Sequence, residues 1–107
     1  MTKPLTFQII ARAKELIQDE RNWCQRYLAI DERGLVVDPT SKHAVRRCAF
    51  GALLAAAYEL VNDKNSAYQL GVSALHPLCE RNGVIVVNDH SGHAAVLALF
   101  DAVLARA

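Results

Sequence analysis

Residues 41–61 constrain the fold more than any other stretch of this chain. Ala44, Val45, Cys48, Ala49, Ala52, Leu53, Ala56 and Leu60 recur at helical spacing, and Leu54, Ala55 and Ala57 carry the apolar surface nearly all the way round. A helix apolar on most sides is stable only when other elements cover it. The pattern therefore predicts a central helix over 41–61, capped by Asp38 or Ser41 with Pro39 in its first turn. Gly51 within it costs ~1 kcal/mol relative to alanine, so a close backbone approach is expected there as compensation.

The covering elements can be read from the same periodicity. Phe7, Ile10, Ala13, Leu16 and Ile17 define a first helix from about residue 4 to 19, with Thr2 as its N-cap. Ala67, Leu70, Ala74 and Leu78 define a third, beginning near Ser66, which Pro77 kinks or ends. Cys79-Glu80-Arg81 adds a turn at most, and Asn82-Gly83 is a C-terminal stop. Val96, Leu97, Phe100, Val103 and Leu104 define a last helix over 92–105, capped by Asp89 or Ser91. Between the first two helices, two apolar runs flank Asp31-Glu32-Arg33-Gly34, the pattern of a short or irregular hairpin with glycine at positive φ. Val84-Ile85-Val86-Val87 is β-branched and short, and is expected as buried extended chain pairing with that hairpin. The expected class is mainly α: one domain over 1–107, a compact bundle of about four helices with a small β-hairpin or short extended segment.

With 107 residues, of which 52% are hydrophobic but only 7% aromatic, the core must be built mainly from Ala, Leu, Val and Ile. A net charge of +1 gives no long-range steering toward nucleic acid or anionic lipid, so either would need a local patch. The three cysteines are an odd number, and no secretory leader pattern opens the chain. The longest apolar run, residues 52–58, is far shorter than the ~20 residues of a membrane span. These features point to a cytoplasmic protein with reduced thiols and no membrane partner.

Reactive side-chain types gather in three places: Trp23-Cys24-Gln25, the surroundings of Cys48, and Asn88-Asp89-His90-Ser91-Gly92-His93. Cys48, placed inside the start of the central helix between arginines and apolar neighbours, is either a packed core thiol or a nucleophile. In the second case His93 or His90 would be its base, with Asp89 or Asn88 orienting it. His90 and His93, with Cys24 and Cys48, lack zinc spacing, so no metal site and no cofactor is expected. Lys42, His43, Arg46 and Arg47 would lie in the first turns of the helix, where cations oppose the dipole. With Arg21 and Arg26 near Trp23 they can form an anion pocket, or they can be ordinary surface charge. Asn88 and Asp89 suit turn and cap bonding, and Trp23 suits a core anchor with its N–H on a carbonyl.

Trp23-Cys24-Gln25, Cys48-Ala49-x-Gly51-Ala52-Leu53, Asn88-Asp89 and the closing helix Ala95-Val96-Leu97-Ala98-Leu99-Phe100-Asp101-Ala102 together resemble a family of small bacterial and phage proteins known as a domain of unknown function. The resemblance runs from about residue 16 to 105. Similar sequences often place an aromatic residue before the second cysteine, where this chain has Arg47. The resemblance implies an organisation and no activity.

The expected function is binding, without catalysis, of an unknown protein or small anionic ligand. The expected surface is Trp23, Cys24, Gln25, Arg46, Arg47, Asn88 and Asp89. A nucleic-acid backbone remains a partner class for the basic patch. Two alternatives stay open: a cysteine-dependent hydrolase or thiol enzyme centred on Cys48 with His93, and a structural or homo-oligomerisation module.

Overall fold

The computed structural model describes residues 4–78 and 83–106, so the expectations for Thr2 and for residues 79–82 lie outside the described residues. Five α-helices are present among these residues: α1 Leu5–Ile17, α2 Ala49–Val61, α3 Lys64–Leu78, α4 Val84–His90 and α5 His93–Leu104. Two short strands, β1 Ala29–Ile30 and β2 Arg46–Arg47, pair antiparallel. The class is mainly helical with a small two-stranded sheet, and it has one helix more than the pattern suggested.

The central helix exists but starts late. Every residue from 51 to 57 is buried, and α1 and α3 are its main packing partners. Small side chains make that proximity attainable. A Cβ on Gly71 of α3 would come within 2.7 Å of the Leu54 side chain, so α2 and α3 approach at a glycine. Ile10, Ala13 and Ile17 of the expected α1 stripe and Val96, Phe100 and Val103 of the expected α5 stripe face the same core; Ile9, outside the expected stripe, is buried with them, while Phe7 and Leu16 are only partly buried.

Residues 41–47 are not helical. Val45 N–H donates to Ile30 O at 2.9 Å and Cys48 N–H donates to Leu28 O at 3.2 Å. Residues 41–44 make a turn, and these donors with the β2 ladder hold residues 45–47 extended until Cys48 turns the chain into α2. Neither Asp38 nor Ser41 caps α2. The cap is Cys48, whose sulfur accepts Gly51 N–H at 3.3 Å. Asp38 instead closes its own turn on Thr40, and Pro39 supplies a carbonyl to Arg47.

The hairpin is the irregular kind. The Asp31 carboxylate accepts the N–H groups of Arg33 and Leu35, Gly34 takes φ +82°, and a single bridge joins Ile30 to Val36. The main partner of β1 is β2. On the far side of β2, Trp23 bridges Arg47 in parallel and Cys24 N–H donates to Arg47 O. Four short segments therefore lie side by side in the order 36–37, 29–30, 46–47, 23–24.

The expected strand at 84–87 is a helix. Over seven residues, α4 puts Val84 and Asn88 on one buried face and leaves Ile85 and Val86 exposed. The i, i+4 spacing of those two inward groups overrides the β-branched composition. Asp89 does not cap α5, which begins after Gly92 at φ +92° without a side-chain cap.

A candidate binding surface at the start of α2

One buried amide organises this end of the molecule. Asn88 is the only buried polar residue among those described, at 1% exposure. Its Oδ1 accepts the Trp23 indole N–H at 2.6 Å and the Ala49 backbone N–H at 2.9 Å. Its Nδ2 donates to Cys24 O and to the Asp89 carboxylate, both at 3.1 Å. The N-terminal turn of α2 thus receives a side-chain acceptor from a helix 39 residues away in sequence. Gln25 Nε2 donates to the carbonyls of Asn88 and Asp89, and the Asp89 carboxylate accepts Arg26 N–H at 2.8 Å.

Trp23, Cys24, Gln25, Asn88 and Asp89, which the sequence offered as a binding surface, are thus brought together. Most of their polar atoms bond to one another. The Trp23 N–H finds an amide oxygen, as a core anchor should. Its ring lies against His93, centroids 5.3 Å apart and tilted by 53°. His93 Nε2 stands 2.6 Å from Ile17 O at the end of α1. A carbonyl only accepts, so Nε2 carries the proton.

The two basic residues diverge. Arg47 is half-buried and its Nε donates to Pro39 O at 2.8 Å, while burial lowers its pKa. Arg46 is exposed and lies close enough to Cys24 to act on it electrostatically. Lys42 and His43 line a separate open hollow with Asp31, Glu32 and Arg33. Arg21 turns to Asp19, 2.7 Å away, and holds that carboxyl down at about 2. Of the arginines expected around Trp23, Arg21 and Arg47 are thus engaged elsewhere, while Arg26 and Arg46 stay exposed. We predict that Arg46→Ala leaves the urea midpoint within about 0.5 kcal/mol of the parent. Arg47→Ala should cost about 1–3 kcal/mol, because it strands a buried carbonyl and removes packed methylenes. Equal effects would contradict this division of roles.

The thiols do not have the environment of nucleophiles. Burial first, then the neighbouring Cys48 and Asp89, push Cys24 up to about 11 against a lowering by Arg46. Cys48 is also raised, mainly by burial, although its bond from Gly51 N–H works the other way. The expected help from the helix end and flanking arginines is outweighed by desolvation. His93 turns its Nε2 to Ile17 O of α1. Among the described residues no group of three or more His, Cys, Asp or Glu side chains is placed to hold a metal.

Above the amide hub lies a small apolar cleft lined by Arg26, Tyr27, Leu28, Cys48, Phe50, Ile85, Asn88 and Asp89, with a volume of about 90 Å³. Tyr27 is 54% exposed and Ile85 48%. Leu28 also borders a second hollow with Leu54, Ala67, Tyr68 and Lys64, of about 190 Å³. Phe50 and Tyr68 lie near each other, ring centroids 6.5 Å apart. Arg26 borders the first cleft at φ +73°, a conformation few bulky residues adopt without tertiary support. The Asp89 bond to its N–H supplies that support. Sequence reasoning missed Tyr27, Leu28, Phe50 and Ile85 as lining groups. Each sat inside an apolar run whose exposed members cannot be told apart without the fold.

Five helices, one of them the alanine-rich rod α2 whose start is tied by a buried asparagine to a bent segment, define a small helical domain with a built surface at one end. The chain belongs to the family of unknown function DUF6197, whose model matches residues 1–106. No curated protein and no solved structure matches it. No helix among the described residues is long and apolar enough to cross a membrane.

Proposed function

We propose that this protein is a small cytoplasmic binding module. It captures an extended peptide segment of a partner protein at the start of α2, and the segment presents apolar side chains next to an acidic group. The observation that carries this reading is the exposed apolar strip that joins the two hollows on either side of Leu28. Tyr27, Leu28 and Ile85 stay exposed along it, although the polar groups beneath are fully engaged. Such a strip bounded by charge is typical of a recognition site. Arg26 and Arg46 are exposed, enter none of the ion pairs among the described residues, and supply the charge complement to an acidic group. Compared with the sequence expectation, Arg26 replaces Arg47. Trp23, Gln25, Asn88 and Asp89 act as the support that holds Arg26 and Tyr27 in place. The thiol-enzyme alternative loses support, because both sulfurs are held as thiols and His93 is bonded to α1.

Selection of displayed peptides on the immobilised protein tests the reading. Enriched sequences should combine an aromatic or aliphatic residue with Asp or Glu. Their binding should fall at least tenfold in Ile85→Lys and in Arg26→Glu, with melting unchanged. Enriched peptides indifferent to both substitutions would place recognition elsewhere. Light scattering that shows a dimer dispersed by Ile85→Lys would assign the strip to a second copy of the chain.

A further inference from the structure

We infer that Cys24 and Cys48 form a reversible intramolecular disulfide, making this end of the molecule a thiol-modification site. The parallel bridge between Trp23 and Arg47, with Cys24 N–H on Arg47 O, sets residue 24 beside residue 48 in the next register position. Adjacent strands lie roughly 5 Å apart, within the Cα separation of about 4.4–6.8 Å that a disulfide requires. The Asn88 amide reports the same proximity, since one side of it holds Cys24 O and the other holds Ala49 N–H, next to Cys48. The two sulfurs also interact electrostatically. Both cysteines are free, Cys24 half-buried and Cys48 buried, so Cys24 is the sulfur an oxidant meets first. The inference concerns the covalent state of the thiols and does not depend on any peptide partner.

The co-reactant is a small-molecule disulfide. Cys24 loses its proton to solvent and attacks one sulfur of the reagent. A mixed disulfide forms, and the first reagent thiolate leaves and takes up a proton. Cys48, held alongside and losing its own proton, then attacks the Cys24 sulfur and displaces the second reagent thiol. Two protein thiols are oxidised, one reagent disulfide is reduced to two thiols, and the cycle reverses with excess reductant. Around Cys24 the charged and titratable groups are Cys48, Arg46 and Asp89, and burial dominates them. The reactive thiolate is therefore scarce at neutral pH, and the reaction quickens about tenfold per pH unit between pH 7 and 9.

The full chain carrying Cys79→Ser, so that only the two cysteines in question remain, is incubated with oxidised glutathione and followed by intact mass. The expected product has lost two hydrogens, and trypsin digestion links the peptide containing Trp23-Cys24-Gln25 to the one beginning at Cys48. Adding Cys48→Ser should instead stop the reaction at one glutathione on Cys24. Accumulation of the Cys24 adduct with Cys48 still free in the parent would overturn the inference. So would a link that forms only in urea.

Discussion

Gly51→Ala is expected to destabilise the protein by about 3 kcal/mol or more, although alanine is the better helix former. A Cβ at this position would stand 1.9 Å from Leu28 O and 2.8 Å from its carbonyl carbon. The obstacle is backbone, and that carbonyl already accepts Cys48 N–H at the entrance to α2. Relief requires either the loss of that bond or a shift of residues 25–30 away from the helix. Intrinsic propensity alone predicts the opposite sign, a gain of ~1 kcal/mol. Urea unfolding of the variant decides between them, and a midpoint at or above that of the parent would mean that Leu28 does not press on the helix. Gly34, where an added Cβ meets nothing within 4 Å, is the contrast. There only the positive φ resists substitution, and about 1 kcal/mol is expected.

Asn88→Ala should cost about 3–5 kcal/mol, since it strands the Trp23 indole N–H, the Ala49 N–H and Cys24 O together. Trp23 is the single tryptophan of the chain, so its emission should move to longer wavelength as water reaches the indole. Asn88→Asp is the sharper probe. The introduced carboxylate keeps the two accepted bonds, loses the donation to Cys24 O, and adds a charge beside Asp89. Burial and that neighbour raise the folded-state pKa of the introduced group above its unfolded value of about 3.9. A raised acid stabilises below the unfolded pKa, and that contribution disappears as pH climbs through the folded value. The variant should therefore approach the parent at low pH and fall away from it toward neutrality. A pH-independent gap between the two would show that folding does not shift the introduced carboxyl, so that neither burial nor Asp89 acts on it.

How much was legible differed by element, for reasons of range. The stripe of α5 and most of that of α1 were readable because helical periodicity is a local property, but only tertiary packing put Ile9 in the core ahead of Phe7 and Leu16. Gly51 was readable as a place of close approach, because a glycine inside a buried helix requires compensation. The start of α2 was not readable. Residues 44 and 45 continue the apolar period, but the donors of Val45 and Cys48 go to carbonyls of Ile30 and Leu28, which no local pattern records. One warning was present. Lys42, His43, Arg46 and Arg47 would have opposed the dipole of a helix begun at residue 41. They suggested an anion site when they more simply argued for a later boundary, and with α2 beginning at Ala49 the conflict disappears.

The helical class, the apolar rod and the three polar motifs followed from residue types and spacings, because burial periodicity and the scarcity of reactive groups are properties of the chain itself. Only the tertiary structure decided that residues 84–90 coil into α4, that Trp23, Cys24, Gln25 and Asn88 share one hydrogen-bond network, and that Arg47 turns inward while Arg46 does not. The network depends on which donor meets which acceptor across 39 to 65 positions, and the turn of Arg47 on a carbonyl eight positions back that the fold buries. Pairings at that distance are set by packing and desolvation, which act only once the chain has closed on itself.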